Sequence, residues 1–264
     1  MFRIHYTLKK PQEIIPWGEA QKSLHWFGLT DSLLWIEAGD SVIYEYAEAY
    51  EDQNGHLVKY NDYQLSRFLE DFSGIMSAVS ESVPEYLYHS IDSFEKNLQT
   101  WISARDGKSD EEFDWFYDNQ FLPLNEWFYE RTIDSGHLVD GPLIGFFRCG
   151  DRLKLFWHDN YLTSKEMSIW RHPKGAYEMK YSDFVSEVSR FFKSFFQDMD
   201  DQVANVLENG IPGVYVDNEA LAKENETRKE EFSYQVGMLS LSDYSHTDWD
   251  KIKELHETMM SEIN

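Results

Sequence analysis

With one cysteine, Cys149, in 264 residues, the chain can form no internal disulfide, and a reducing, cytoplasmic setting is expected. No apolar run approaches the roughly 18–20 residues that a spanning helix needs, so no membrane partner is expected. The opening Met1-Phe-Arg-Ile-His-Tyr-Thr-Leu-Lys-Lys10 has no apolar h-region and does not read as a secretory signal. Bases are scarce: 24 Lys and Arg stand against 48 Asp and Glu, a formal charge of −24. Direct binding of nucleic acid is therefore disfavoured, because phosphate contacts call for clustered lysine and arginine. Gly-x-Ser-x-Gly, the phosphate-binding loop and Gly-x-Gly-x-x-Gly are all absent, which counts against three large enzyme classes. The nine histidines form no His-Glu-x-x-His pattern, and a lone cysteine cannot supply Cys-x-x-Cys. No catalytic residue, metal or other cofactor is expected. Internal repeats and low-complexity linkers are also missing.

What is abundant is aromatic and acidic. Aromatic residues make up 16% of the chain and hydrophobic residues 42%, which excludes intrinsic disorder and supplies a large core. The acid surplus is uneven, with residues 31–140 carrying 24 carboxylates against 6 bases. A field of that sign favours solubility and speeds encounter with a cationic partner.

The pattern predicts one α+β domain over 1–264, antiparallel hairpins or sheet packed on a layer of amphipathic helices. N-terminal strands fall in 25–47: His25–Leu29, then Leu33–Ala38 and Val42–Ala47 as a hairpin about Gly39-Asp40. Helices follow over 64–130. One stripe runs Leu65, Phe68, Leu69, Phe72, Ile75, Met76, Val79 and another runs Leu87, Ile91, Phe94, Leu98, Trp101, Ile102, expected to pair as a helical hairpin. Ser109-Asp-Glu-Glu112 has capping-box spacing, so a further helix starts there, to be bent or ended by Pro123. A second hairpin spans 143–157 through Gly150-Asp151. C-terminal helices occupy 183–262, the longest striped by Phe184, Val188, Phe191, Phe195, Met199, Val203 and Val206.

The helix after Asp110 turns Phe113, Phe116, Tyr117, Gln120 and Phe121 to the core. Its other side carries Trp115 ringed by Glu111, Asp114 and Asp118, a costly exposure unless a partner covers it. These four form the first candidate partner-binding surface. The second is the hairpin and its exit: Glu45, Glu48, Glu51 and Asp52, interleaved with Tyr46 and Tyr50. Three other features read as structural. Cys149 is expected to be a small buried hydrophobe; Asp198, Asp200 and Asp201 fall inside a helical pattern and read as a solvated face; His256-Glu257 reads the same way.

His25-Trp-Phe-Gly-Leu-Thr-Asp31, followed by Leu34-Trp35-Ile36, resembles a bacterial family with the pattern Trp-Phe-x-Leu-Thr-Asp-Gly and then aromatic-Trp-Ile. Ser32 stands where that pattern has glycine. Asp183-Phe184-Val185 is similar to its later Asp-Phe-Leu segment. Members look like the immunity partners encoded beside polymorphic toxins, delivered by contact-dependent inhibition or type VI secretion, and the resemblance implies no catalytic residues. It implies instead a cytoplasmic protein whose partner is a cognate, basic toxin domain. Two other classes stay open: a small-molecule enzyme using acid/base carboxylates, and an acidic adaptor of a secretion pathway.

Overall fold

The computed structural model describes residues 1–51, 55–138, 141–159, 168–240 and 246–263. The fold is α+β, two antiparallel sheets with helices on their faces. The first sheet contains β1 (Phe2–Leu8), β2 (Asp31–Ala38), β3 (Ser41–Ile43), β4 (Glu45–Glu51) and β5 (Leu57–Gln64). Its order is β1-β2-β5-β4, with β3 also on β2. The second contains β6 (Thr132–Ile133), β7 (Leu143–Cys149), β8 (Arg152–His158) and β9 (Lys174–Lys180), in chain order.

Strand β2 alternates half-buried and buried residues, and its Leu34, Ile36 and Ala38 face α8 (Tyr181–Asn209) across the first core. All seven residues of the predicted α8 stripe are buried there. Strand β7 is buried on both faces, which is why Leu143–Phe147 reads as an unbroken apolar run. Ile144 and Phe146 join the first core, while Leu143, Phe147 and Cys149 join a second. That second core is built with α4 (Glu85–Ser90), α5 (Phe94–Ser103), α6 (Asp110–Phe116), α7 (Leu122–Tyr129) and α10 (Trp249–Ile263).

Several expectations are corrected. Residues 26–29 form a helical turn, α1 (Trp26–Leu29), not a strand. Trp26 is sealed in the core, its indole N–H donating to Asn225 Oδ1 at 2.9 Å under the Arg228 guanidinium. The hairpin about Gly39-Asp40 forms, but its second strand divides at Tyr44, whose φ of 67° sends β4 away from β2 to pair with β5. That left-handed conformation is unfavourable for a bulky residue. Full burial and a 2.7 Å hydrogen bond between the Tyr44 and Ser135 hydroxyls hold it.

The two helical stripes do not pair as a hairpin. The first, split at Ile75 into α2 (Leu65–Gly74) and α3 (Met76–Ser80), lies in the first core; α4 and α5 lie in the second. Between them the chain crosses the end of β7, where Val83 N–H donates to Arg148 C=O. Pro123 does not end its helix: a π turn over Tyr117–Phe121 precedes it, and the helix resumes as α7. A wider turn accommodates the absent N–H and the bulky ring of proline.

His256 is not on a solvated face. It is buried on α10, stacked on Phe94 at 5.8 Å and beside Tyr86, and its Nε2 has no hydrogen-bond partner among the described residues. Burial pushes its imidazole below the ordinary range, opposed by the neighbouring Glu257 carboxylate. The unfolded chain, with a value near 6.5, therefore takes up the proton first. Stability is full above about pH 6.5 and falls as the pH drops through the folded value. Melting temperatures taken from about pH 7.5 to 5.5 should decline. His256→Phe should flatten that slope, and an unchanged slope would place the titrating group elsewhere.

Candidate partner-binding surface

Helix α6 starts at the capping box the sequence predicts. Ser109 Oγ accepts from Glu112 N–H, while the Glu112 carboxylate accepts from Ser109 N–H and Oγ–H. The box fixes the phase of the helix. Phe116 and, on the following π turn, Phe121 are buried, and Trp101 meets the Phe116 ring edge-on at 4.9 Å. Glu111, Asp114, Trp115 and Asp118 then fall on the outer side, all exposed, with the Trp115 residue 59% exposed. The C-terminal helices do not cover the indole. It forms one wall of a groove of about 490 Å³ that runs toward Arg105, Lys108 and Glu262. Arg105 is held by Glu262 and covers the Phe116 ring, so one of the two bases at the groove is already compensated.

The second surface is only partly as expected. Glu48, Tyr50 and Glu51 are exposed on β4, and Tyr50 packs edge-on against Tyr46 at 5.5 Å. Asp52 lies outside the described residues. Glu45 does not belong to any partner surface. It is 4% exposed, following the left-handed Tyr44, and its carboxylate meets Lys59 at 3.0 Å and Arg171 at 3.2 Å. Its role is to bind β4 to β5 and to the segment around Arg171. The structure adds two apolar residues beside Tyr50 that the sequence reading missed, Ile15 at 60% and Leu57 at 70% exposed. They line a separate cleft of about 530 Å³. A leucine opening a strand as polar as β5 gives little sequence signal. The α6 and β4 patches thus line different clefts.

Other candidate chemistry resolves into structure. Cys149 is buried, and its thiol is pushed up by that burial and by its 3.0 Å hydrogen bond to Glu85, which disfavours the thiolate nucleophile. Asp198 and Asp200 are not merely solvated: Asp198 accepts from Tyr6 Oη at 2.5 Å, and Asp200 accepts from Asn225 and Lys229. Among the described residues, no group of three or more His, Cys, Asp or Glu side chains could hold a metal ion. No helix among them is long and apolar enough to cross a membrane.

The model of a family of unknown function, DUF5984, matches residues 3–255. The chain belongs to that family. No curated protein and no solved structure matches it. In this DUF5984 member, the residues of the Trp26–Asp31 motif are spent on packing, not on the surface. Besides the Trp26 contacts, Thr30 Oγ1 bonds Phe27 C=O and Ser66, Asp31 pairs with Lys9, and Ser32 is fully buried with its hydroxyl on Tyr63 C=O.

Proposed function

We propose that the chain is a cytoplasmic immunity protein, one that neutralises a cognate delivered toxin by tight, non-covalent occlusion. The observation that carries this reading is Trp115, an exposed indole set among Glu111, Asp114 and Asp118 at the lip of a groove. Interface hot spots favour Trp, Tyr and Arg. An arginine from a basic partner lies over the indole face while pairing with the surrounding carboxylates. Carboxylates on such a surface occupy the places that phosphates take in a nucleic-acid-binding groove. The Trp26–Asp31 resemblance supports the same reading.

The test begins with the neighbouring genes, among which the proposal expects one that encodes a toxin-like domain. Co-expression of the wild-type chain should restore growth to cells making that domain, and the two should co-purify. Trp115→Ala should leave folding stability within about 1 kcal/mol, whereas truncating a buried tryptophan costs about 3–5 kcal/mol. The same change should weaken the complex by about thirtyfold or more. Retained affinity would move the interface to Glu48, Tyr50 and Glu51. Failure of the wild-type chain to bind or protect would remove the immunity reading altogether.

A further inference from the structure

The cleft of about 530 Å³ that Ile15 and Leu57 line opens on the outer face of the first sheet, opposite the face that Leu34 and Ile36 turn to the core. Three strands supply its floor, since Thr7, Leu33 and Asp62 are register partners in one row across β1, β2 and β5. Around that floor stand Ile15, from the segment after β1, and Tyr50 and Leu57, from the β4–β5 pair. They are 60%, 45% and 70% exposed. A single exposed apolar residue needs no explanation, but several around one cleft mark an interaction surface.

Acids are interleaved with the apolar residues. Glu13 precedes Ile15 by two places, Asp31 and Leu33 share a face of β2, and Glu51 lies directly opposite Leu57 across β4 and β5. Among the described residues, Lys9 is the one lysine or arginine that lines the cleft. It is already taken up, by Asp31 at 3.3 Å and by Asp62 at 2.5 Å. Glu13 and Glu51 are exposed and have no cationic partner among the described residues. The nearest other lysines do not serve them: Lys10 lines a different depression with Tyr6 and Asp198, and Lys59 is held by Glu45. Four carboxylates thus face one ammonium, and the balance stays negative even with His56, which also lines the cleft, protonated. Burial pushes the Asp31 carboxyl above its ordinary range, with Lys9 opposing the rise and Asp62 adding to it. One lysine does not compensate both aspartates, so the lining is short of positive charge.

We infer that this cleft docks a short basic segment of a protein partner, one in which arginine or lysine alternates with large apolar side chains. The cations of that segment meet Glu13, Glu51 and the Asp31–Asp62 pair, and its apolar side chains cover Ile15, Leu33 and Leu57. Charge selects this occupant. A second copy of a chain of −24 is repelled from a cleft of the same sign, whereas a basic segment is drawn to it. The inference does not rest on the immunity reading, because a peptide alone tests it and a failed toxin complex leaves it standing.

The probe is a short fluorescein-labelled peptide of alternating leucine and arginine, titrated with the full chain at about 0.15 M salt, where the screening length is about 8 Å. Fluorescence anisotropy should show saturable binding. Replacing arginine by citrulline, which keeps the shape and removes the charge, should weaken binding by about tenfold or more, and so should replacing leucine by serine. In the protein, Ile15→Ser/Leu57→Ser should lose about tenfold or more in affinity. Leu207→Ser/Tyr234→Ser, at exposed apolar positions on the C-terminal helices, should lose less than about twofold. Glu13→Gln/Glu51→Gln should lose about fivefold or more, while Glu226→Gln/Glu230→Gln, which alters net charge equally at exposed remote positions, should not. All these positions are exposed, so the melting temperatures should stay close to that of the wild-type chain. Three results would each overturn the inference: no saturable binding up to about 1 mM, equal affinity for the arginine and citrulline peptides, or losses in either cleft variant no greater than in its remote control.

Discussion

Glu81→Ala is expected to destabilise the fold by about 3–5 kcal/mol, the cost of leaving a buried charge without its counter-charge. Glu81 and Arg131 are both buried, 2.7 Å apart. One Glu81 oxygen also accepts from the backbone N–H groups of His246 and Thr247, the other from Thr247 Oγ1. Arg131 donates further to Trp127 C=O at 2.7 Å and lies over the Trp127 ring. Burial lowers its guanidinium to about 10, which leaves it charged at neutral pH. Three distant parts of the chain, the end of α3, the end of α7 and the entry to α10, meet on this one pair. For a chain of this size each kcal/mol moves the melting temperature by roughly 2–4 °C, so a fall of about 10 °C is expected. Glu81→Leu/Arg131→Met should recover much of the loss, because no lone charge remains. Chemical denaturation of the three proteins decides it; a cost below about 1 kcal/mol for Glu81→Ala would mean that the remaining Arg131 is solvated after all.

The second large effect is on the rate of association. Reversing Glu111, Asp114 and Asp118 together to lysine should slow binding of a basic partner by about tenfold or more at low salt. Raising the salt should slow the wild-type chain too, as the screening length shrinks from about 30 Å at 0.01 M to about 8 Å at 0.15 M. The dissociation rate, which the proposed function assigns to desolvated anchors such as Trp115, should change less. Glu226, Glu230 and Glu231 are exposed on α9 (Asn218–Met238) and supply the control. Their reversal alters net charge by the same amount on a helix whose buried side, Leu221, Asn225 and Phe232, faces the first core. Surface binding measured over a salt series reads both rates. An association rate indifferent to salt, or equal slowing in the two triple variants, would confine the acidic surplus to solubility.

How much of this was visible in the sequence differs from element to element. The α8 stripe, the α6 capping box and the β7–β8 hairpin at Gly150-Asp151 rest on short-range chemistry: a repeat of 3.6, a side chain reaching three residues, and a glycine at φ 60° in the turn. The outward phase of Trp115 followed from that cap. Strand β5 was not visible, because Lys59, Asn61 and Asp62 are poor strand formers that the pairing of β2 and β4 overrides. Strand β9 was hidden in the same way, its Gly175 and Ala176 chosen by what β8 packs against them.

The sequence by itself determined the class of the fold, its acidic character and the face on which Trp115 stands, since each depends on residues near one another in the chain. Only the tertiary structure decided which acids are available. Glu81 reads like any other of the 48 carboxylates and Glu45 like its exposed neighbours Glu48 and Glu51, yet both are buried because Arg131 and Arg171 come to meet them from far along the chain. The same holds for His256, which reads as part of a charged helix and is instead closed under Phe94. The physical reason is that burial of a charge or an imidazole is set by partners from distant segments, which only the folded chain brings together.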